Sequence, residues 1–137
     1  MKKNKYVIKI IFVLIIMVNS KIYSQRYPTN NPVIYDSLTA ILEIKNIYKQ
    51  ILEGQNFGDL ATKFTQDPGS FKNYGILKKI SLDDLDEGFA YYVEKMKIGD
   101  VSQPFESIFG WHITKLLDID KEKKYSIQHI LIMYKSN

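Results

Sequence analysis

Gly99-Asp-Val-Ser-Gln-Pro-Phe-Glu-Ser-Ile-Phe-Gly-Trp-His-Ile-Thr-Lys-Leu-Leu117 is the stretch whose reading decides the fold. Pro104, Phe105 and Ser107 close a short β-rich run, Gly110 supplies a turn, and residues 111–117 form a second run with His112 near its start. Pro104 has no amide hydrogen to give to a ladder, so the first run belongs at a sheet edge and the second at the centre. A titratable ring then sits inside a sheet, where physics alone makes it a satisfied core histidine.

Outward from that centre, 137 residues hold one domain. At the amino terminus Lys2, Lys3, Lys5 and Lys9 precede an apolar run over residues 10–18, followed by Asn19, Ser20 and the small Ser24 before Gln25. This is the charged, apolar, polar order of a secretory signal, and the run is too short to cross a bilayer. The expectation is a signal peptide over residues 1–24, cleaved after Ser24, and a periplasmic or secreted chain with no membrane span after cleavage; a short uncleaved anchor is the alternative. The sequence has no cysteine, so neither a lipid nor a disulfide can be attached through one. The net charge of +4 belongs to the signal: taking its five lysines (the four above and Lys21) from 19 basic residues leaves 14 against 15 acids. No electrostatic case for nucleic acid or an anionic membrane remains.

Residues 25–35, with two prolines and two asparagines, read as a flexible leader. Ile34, Leu38, Ile41, Leu42, Ile44, Tyr48, Ile51 and Leu52 then recur at helical spacing from about Asp36, with Gly54 to end the helix. A second helix spans 57–64, with Asn56 as N-cap and Phe57, Leu60, Ala61 and Phe64 inward. Residues 74–80 read as a strand turning Lys78 and Lys79 to solvent. Ser81 and Asp84 form a capping-box-like start for Leu85, Phe89, Tyr92, Val93 and Met96, divided at Gly88 into two short helices. The acids Asp83, Asp84, Asp86 and Glu87 read as a solvated helix start, since no His or Cys accompanies them for a metal. After the polar residues 118–124 comes a last β run, 125–133, carrying His129.

Gly-Asp-Val-Ser-x-Pro followed by Phe-Gly-Trp-His-Ile is similar to the closing segment of the parvulin family of peptidyl-prolyl isomerases, the PpiC-like rotamases. The run from Ile51 to Ser70, in which a helix ends at Gly54 and the next leads into Asp67-Pro68-Gly69-Ser70, resembles the family's central segment. Its Gly-Gly-acid-Leu-Gly pattern is here Tyr74-Gly75-Ile76-Leu77-Lys78, keeping one glycine and the leucine. The resemblance implies an α+β, FKBP-like fold over residues 36–137: an antiparallel four-stranded sheet surrounded by helices. The family opens with an x-x-His-Ile-Leu-Ile strand, whereas this chain carries His129-Ile-Leu-Ile near its carboxyl end. The C-terminal strand is therefore expected to fold back into a central sheet position, with His129 opposite His112 and the turn between Asp120 and Lys121. The alternatives are the start of a truncated second repeat and a strand exchanged in a swapped dimer.

The implied activity is isomerisation of X-Pro bonds in unfolded or extended proline-containing polypeptides. By resemblance the catalytic polar set is Asp67, His112, His129 and Ser107, and the proline grip is Leu77, Leu85, Phe89 and Phe109. No cofactor and no metal is implied; a two-His, one-Asp metal site is not demanded by the spacing. Leu77, Leu85 and Phe89 serve as well as plain core, and Asp67-Pro68-Gly69 serves as well as a plain turn. The altered glycine motif leaves a second function open, a non-catalytic chaperone or adaptor that binds extended peptides. Phosphate-directed specificity is not expected, because no basic loop follows the 125–133 strand.

Overall fold

The structure, a computed structural model, describes residues 35–135. The expected signal peptide and all of the leader but Tyr35 lie outside the described residues. Helices α1 (Ser37–Leu52), α2 (Phe57–Phe64) and α3 (Glu87–Glu94) accompany strands β1 (Ile76–Ile80), β2 (Phe105–Ser107), β3 (Gly110–Ile119) and β4 (Tyr125–Ile132). The result is an α+β fold whose antiparallel sheet runs in the order β1-β4-β3-β2. None of the described helices is long and apolar enough to cross a membrane.

Local chemistry sets the helix boundaries. The Asp36 carboxylate accepts from the Thr39 amide at 2.7 Å and opens α1, and the Asn56 side chain accepts from the Asp59 amide at 3.1 Å and opens α2. The buried stripe of α1 includes Ala40, Ile44 and Ile47 as the helix packs on β3 and β4. This corrects the face read from spacing: Leu38, Leu42 and Leu52 point to solvent. Apolar residues cover more of this helix than one face can bury, and the small Ala40 marks the side on which another backbone can approach. Within the acidic stretch, Ser81 and Asp84 close a capping box around a single 3₁₀ turn, Leu82–Asp84. The break before α3 falls at Leu85–Asp86 and not at Gly88, because the Asp86 carboxylate accepts from the Phe89 amide at 3.1 Å and so makes Asp86 the N-cap.

The β3–β4 ladder pairs His112 with Leu131, Thr114 with His129 and Leu116 with Ile127, then shifts at an irregularity between Leu116 and Asp118. His112 and His129 are thus diagonal neighbours on one face and not directly opposite. The reason lies in the turn, which falls over 120–124 instead of at Asp120–Lys121. Asp120 Oδ1 accepts from the amides of Glu122 and Lys124, both at 2.9 Å, while the Asp120 amide donates to the Lys124 carbonyl at 3.0 Å. Below this face Phe89, Val93, Phe105, Leu116 and Ile127 form a buried cluster flanked by Leu77 and Leu85. Ile113, Ile130 and Ile132 fill the other face.

Two tethers hold the margins. Tyr35 is buried and bridges Tyr134 in parallel, with the Lys135 amide donating to the Tyr35 carbonyl at 3.1 Å. The Tyr134 hydroxyl donates to Glu106 on β2.

Gly75 lets its backbone lie close against that of β4. A Cβ there would lie 2.4 Å from the His129 carbonyl oxygen and 2.8 Å from the Ala61 Cβ, at φ +76°. We expect Gly75→Ala to cost about 2–5 kcal/mol, combining overpacking with the left-handed backbone. Gly54→Ala, at φ +91° in open space, should cost only about 1–2 kcal/mol. Urea titration of both variants measures the difference.

Candidate functional site

His112 and His129 are 2% and 5% exposed, lying beneath one face of β3 and β4. Their rings are nearly parallel, 13° apart in plane with centroids 6.1 Å apart. Each ring uses Nε2 to meet a different polar group. His112 Nε2 lies 2.7 Å from Ser107 Oγ, which also accepts from the Phe109 amide at 3.0 Å. His129 Nε2 lies 2.9 Å from Asp67 Oδ2 and 3.0 Å from Ser70 Oγ, and the Ser70 hydroxyl donates to the same carboxylate oxygen.

The segment after α2 delivers Asp67 because it is stitched along β4. The Gln66 amide donates to the Leu131 carbonyl at 2.8 Å, Thr65 Oγ1 accepts from the Leu131 amide at 3.1 Å, and Gln66 Oε1 accepts from the Met133 amide at 2.6 Å. Asp67 Oδ1 is used locally, accepting from the Gly69 amide at 3.2 Å. The Asp67-Pro68-Gly69 turn is thus the segment that carries the Asp67 carboxylate to His129.

Phe89 forms the apolar wall. Its ring meets His112 at 4.9 Å and 89°, Phe105 at 5.2 Å and 74°, and His129 at 5.8 Å and 79°, all edge-on. Across it, Tyr92, Phe105, His112 and His129 follow one another with planes within 19° at each step. Leu77 and Leu85 are partly buried and pack against this cluster. The Phe109 ring is not brought in: it is 57% exposed, and only its amide touches the polar set.

Electrostatics set Asp67 and His112 apart. The hydrogen bond from His129, reinforced by Ser70, holds the Asp67 carboxyl well below the usual carboxylate range against the opposing effect of burial. Burial, followed by the neighbouring His129, pushes His112 down to about 3, with Asp67 pulling weakly the other way. His112 is a neutral ring at physiological pH.

Ser70, fully buried, was not singled out in the sequence. Its signal is the spacing Asp67-x-x-Ser70, which brings a hydroxyl over a carboxylate three residues earlier. Ser70 and Asp67 share one nitrogen of His129, whereas a nucleophilic triad needs its hydroxyl and carboxylate on opposite nitrogens. The arrangement can polarise, orient and exclude water, but it does not activate a serine. Among the described residues no group of three or more His, Cys, Asp or Glu is placed to hold a metal.

A family model described as Rotamase, PPIC-type PPIASE domain, matches residues 30–118. The chain belongs to this family. Chaperone SurA of Pseudomonas aeruginosa is 40% identical over 73 residues, which is 53% of this chain and 18% of that protein. Foldase protein PrsA of Geobacillus kaustophilus is 30% identical over 104 residues, 76% of this chain and 36% of that protein. Chaperone SurA of Vibrio vulnificus is 36% identical over 77 residues, 56% of this chain and 18% of that protein. The chain thus spans about a fifth to about a third of the length of these relatives. The rotamase match ends at residue 118, so β4 with His129 lies beyond it.

Because the rotamase fold buries His112 neutral, its unfolded state takes up a proton that the folded state refuses. Stability should therefore decline as pH falls below about 6.5, by at most about 1.4 kcal/mol per pH unit. Asp67 adds a separate loss that sets in only as pH falls below about 3.8. In urea titrations at pH 7, 6 and 5, His112→Phe should flatten the first limb.

Proposed function

We propose that this domain is an exported peptidyl-prolyl cis-trans isomerase, a foldase acting on X-Pro bonds of unfolded envelope or secreted polypeptides. The observation that carries the reading is the Asp67–Ser70–His129 and Ser107–His112 polar set lying against the Phe89 ring. The printed names foldase and chaperone of the relatives support it. Export rests on the charged, apolar, polar order of residues 1–24.

The chemistry breaks no bond. The X-Pro barrier of about 18–20 kcal/mol comes from amide conjugation, and twisting removes negative charge from the carbonyl oxygen. Asp67, ionised and aimed at that oxygen, penalises the planar amide more than the twisted one, which lowers the barrier. Phe89, with Leu77 and Leu85, grips the proline ring and keeps water from the nitrogen. Phe109 at the rim contacts the residues flanking proline. Ser107, His112 and His129 fix the direction of Asp67 and exclude competing water.

β4 fills the place that parvulins give to their opening strand, which makes residues 36–137 a self-completed monomeric domain. Three observations support this: β4 lies between β1 and β3, the family match stops before it, and Asp120 closes the hairpin within one chain. One observation favours a second reading, a non-catalytic peptide-binding chaperone. Tyr74, where the family has glycine, holds the left-handed backbone at φ +56° with its side chain more than half exposed.

A protease-coupled assay on a prolyl tetrapeptide tests the choice. Acceleration above background is expected, and Asp67→Ala should lower kcat/KM by about tenfold or more, a loss of at least about 1.4 kcal/mol of transition-state stabilisation. No acceleration with peptide binding intact would leave only the chaperone. A permuted chain, with residues 125–135 joined by a glycine-rich linker ahead of residue 35, should fold with a melting temperature within a few degrees of the parent. Failure of that chain to fold would sink the account of β4.

A further inference from the structure

Gln128 lies on the central strand β4, opposite Ile76 on one side and Lys115 on the other. It is the neighbour of His129 in the strand, so its side chain takes the opposite face of the sheet. Its Nε2 donates to the Tyr74 carbonyl at 2.8 Å. A carbonyl only accepts, which sets the carboxamide with its nitrogen toward Tyr74. Room for that nitrogen comes from Gly58 on α2, where a Cβ would stand 3.0 Å away from it.

The carbonyl that Gln128 holds belongs to a strained residue. Tyr74 follows the 3₁₀ turn Phe71–Asn73 with a left-handed backbone, φ +56° and ψ +28°, which costs a residue with a side chain about 1–2 kcal/mol. The conformation lets the Gly75 amide turn back to the Ser70 carbonyl at 3.0 Å, a six-residue closure with its left-handed residue in the fifth place. Ser70 is thereby set, and its hydroxyl reaches Asp67 and His129. The Tyr74 ring, 56% exposed, returns little by burial.

We propose that Gln128 is a positioning residue: by gripping the Tyr74 carbonyl it keeps residue 74 left-handed, the 67–75 loop closed, and the Asp67 and Ser70 oxygens on His129. β4 then holds that loop from both faces. The His129 ring takes its polar end beneath the sheet, and the Gln128 side chain takes its far end on the other side. A tyrosine can occupy this strained place because the strand beside it supplies the grip. The loop geometry stands on its own, while the effect on turnover rests on the isomerase reading.

Gln128→Leu keeps the bulk, removes the donor and adds no charge. Carboxyl carbon NMR of the full chain, titrated with acid, should place the Asp67 midpoint higher in this variant than in the parent by about half a unit or more. In the protease-coupled assay kcat should fall about two- to tenfold, the worth of one hydrogen bond, with KM nearly unchanged because the Phe89 slot is not altered. Made in a Tyr74→Gly background, where the left-handed backbone carries no strain, the same substitution should produce much smaller changes in both readings. An Asp67 midpoint and a kcat equal to those of the parent would overturn the proposal. Changes of equal size in the two backgrounds would do the same, since Gln128 would then not act through residue 74. A parent without isomerase activity, whose Asp67 midpoint still responds to Gln128→Leu, would overturn the catalytic reading and uphold the positioning role.

Discussion

An antiparallel ladder leaves no freedom in which side chains share a face, and the β3–β4 pairing uses that constraint to bury two imidazoles side by side. A polar ring under a sheet is costly unless it is hydrogen-bonded, and here each ring is answered at Nε2. Much of the remaining architecture supplies those answers. The segment after α2 is hydrogen-bonded along β4 through Thr65 and Gln66, which carries Asp67 and Ser70 to His129. On the other side β2 brings Ser107 to His112.

Phe89 gives the polar set its apolar counterpart. Because Asp86 starts α3 where it does, one aromatic ring meets His112, His129 and Phe105 by its edges at once. The imidazoles are thereby fixed from the side as well as through Nε2. His112 is kept neutral by burial, while Asp67 is kept charged by its donors.

The sequence revealed these parts unevenly. Asn56 and the Ser81–Asp84 box were legible because capping is local chemistry. Asp67, Ser107, His112, His129 and Phe89 were legible only through the resemblance, since nothing in their spacing says they meet. The solvent-facing Leu38, Leu42 and Leu52 misled because the apolar residues of α1 spread over more of the helix than it buries, so their spacing alone does not fix the inward face. The ladder register was missed by two residues, because Asp120 organises a longer turn than polarity alone suggests and the strands shift at Leu116–Asp118. Ser70 was passed over because a hydroxyl reaching back to a carboxylate has no hydrophobic signature.

The strand at the middle of the sheet is also the last one made. α1, α2 and β1 all precede by some forty-five residues or more the strand β4 that they pack against. The two pairings of this strand differ in reach: β3–β4 is a local hairpin, whereas β1 lies some fifty residues earlier, so docking beside β1 closes the longer loop and carries the larger entropic cost.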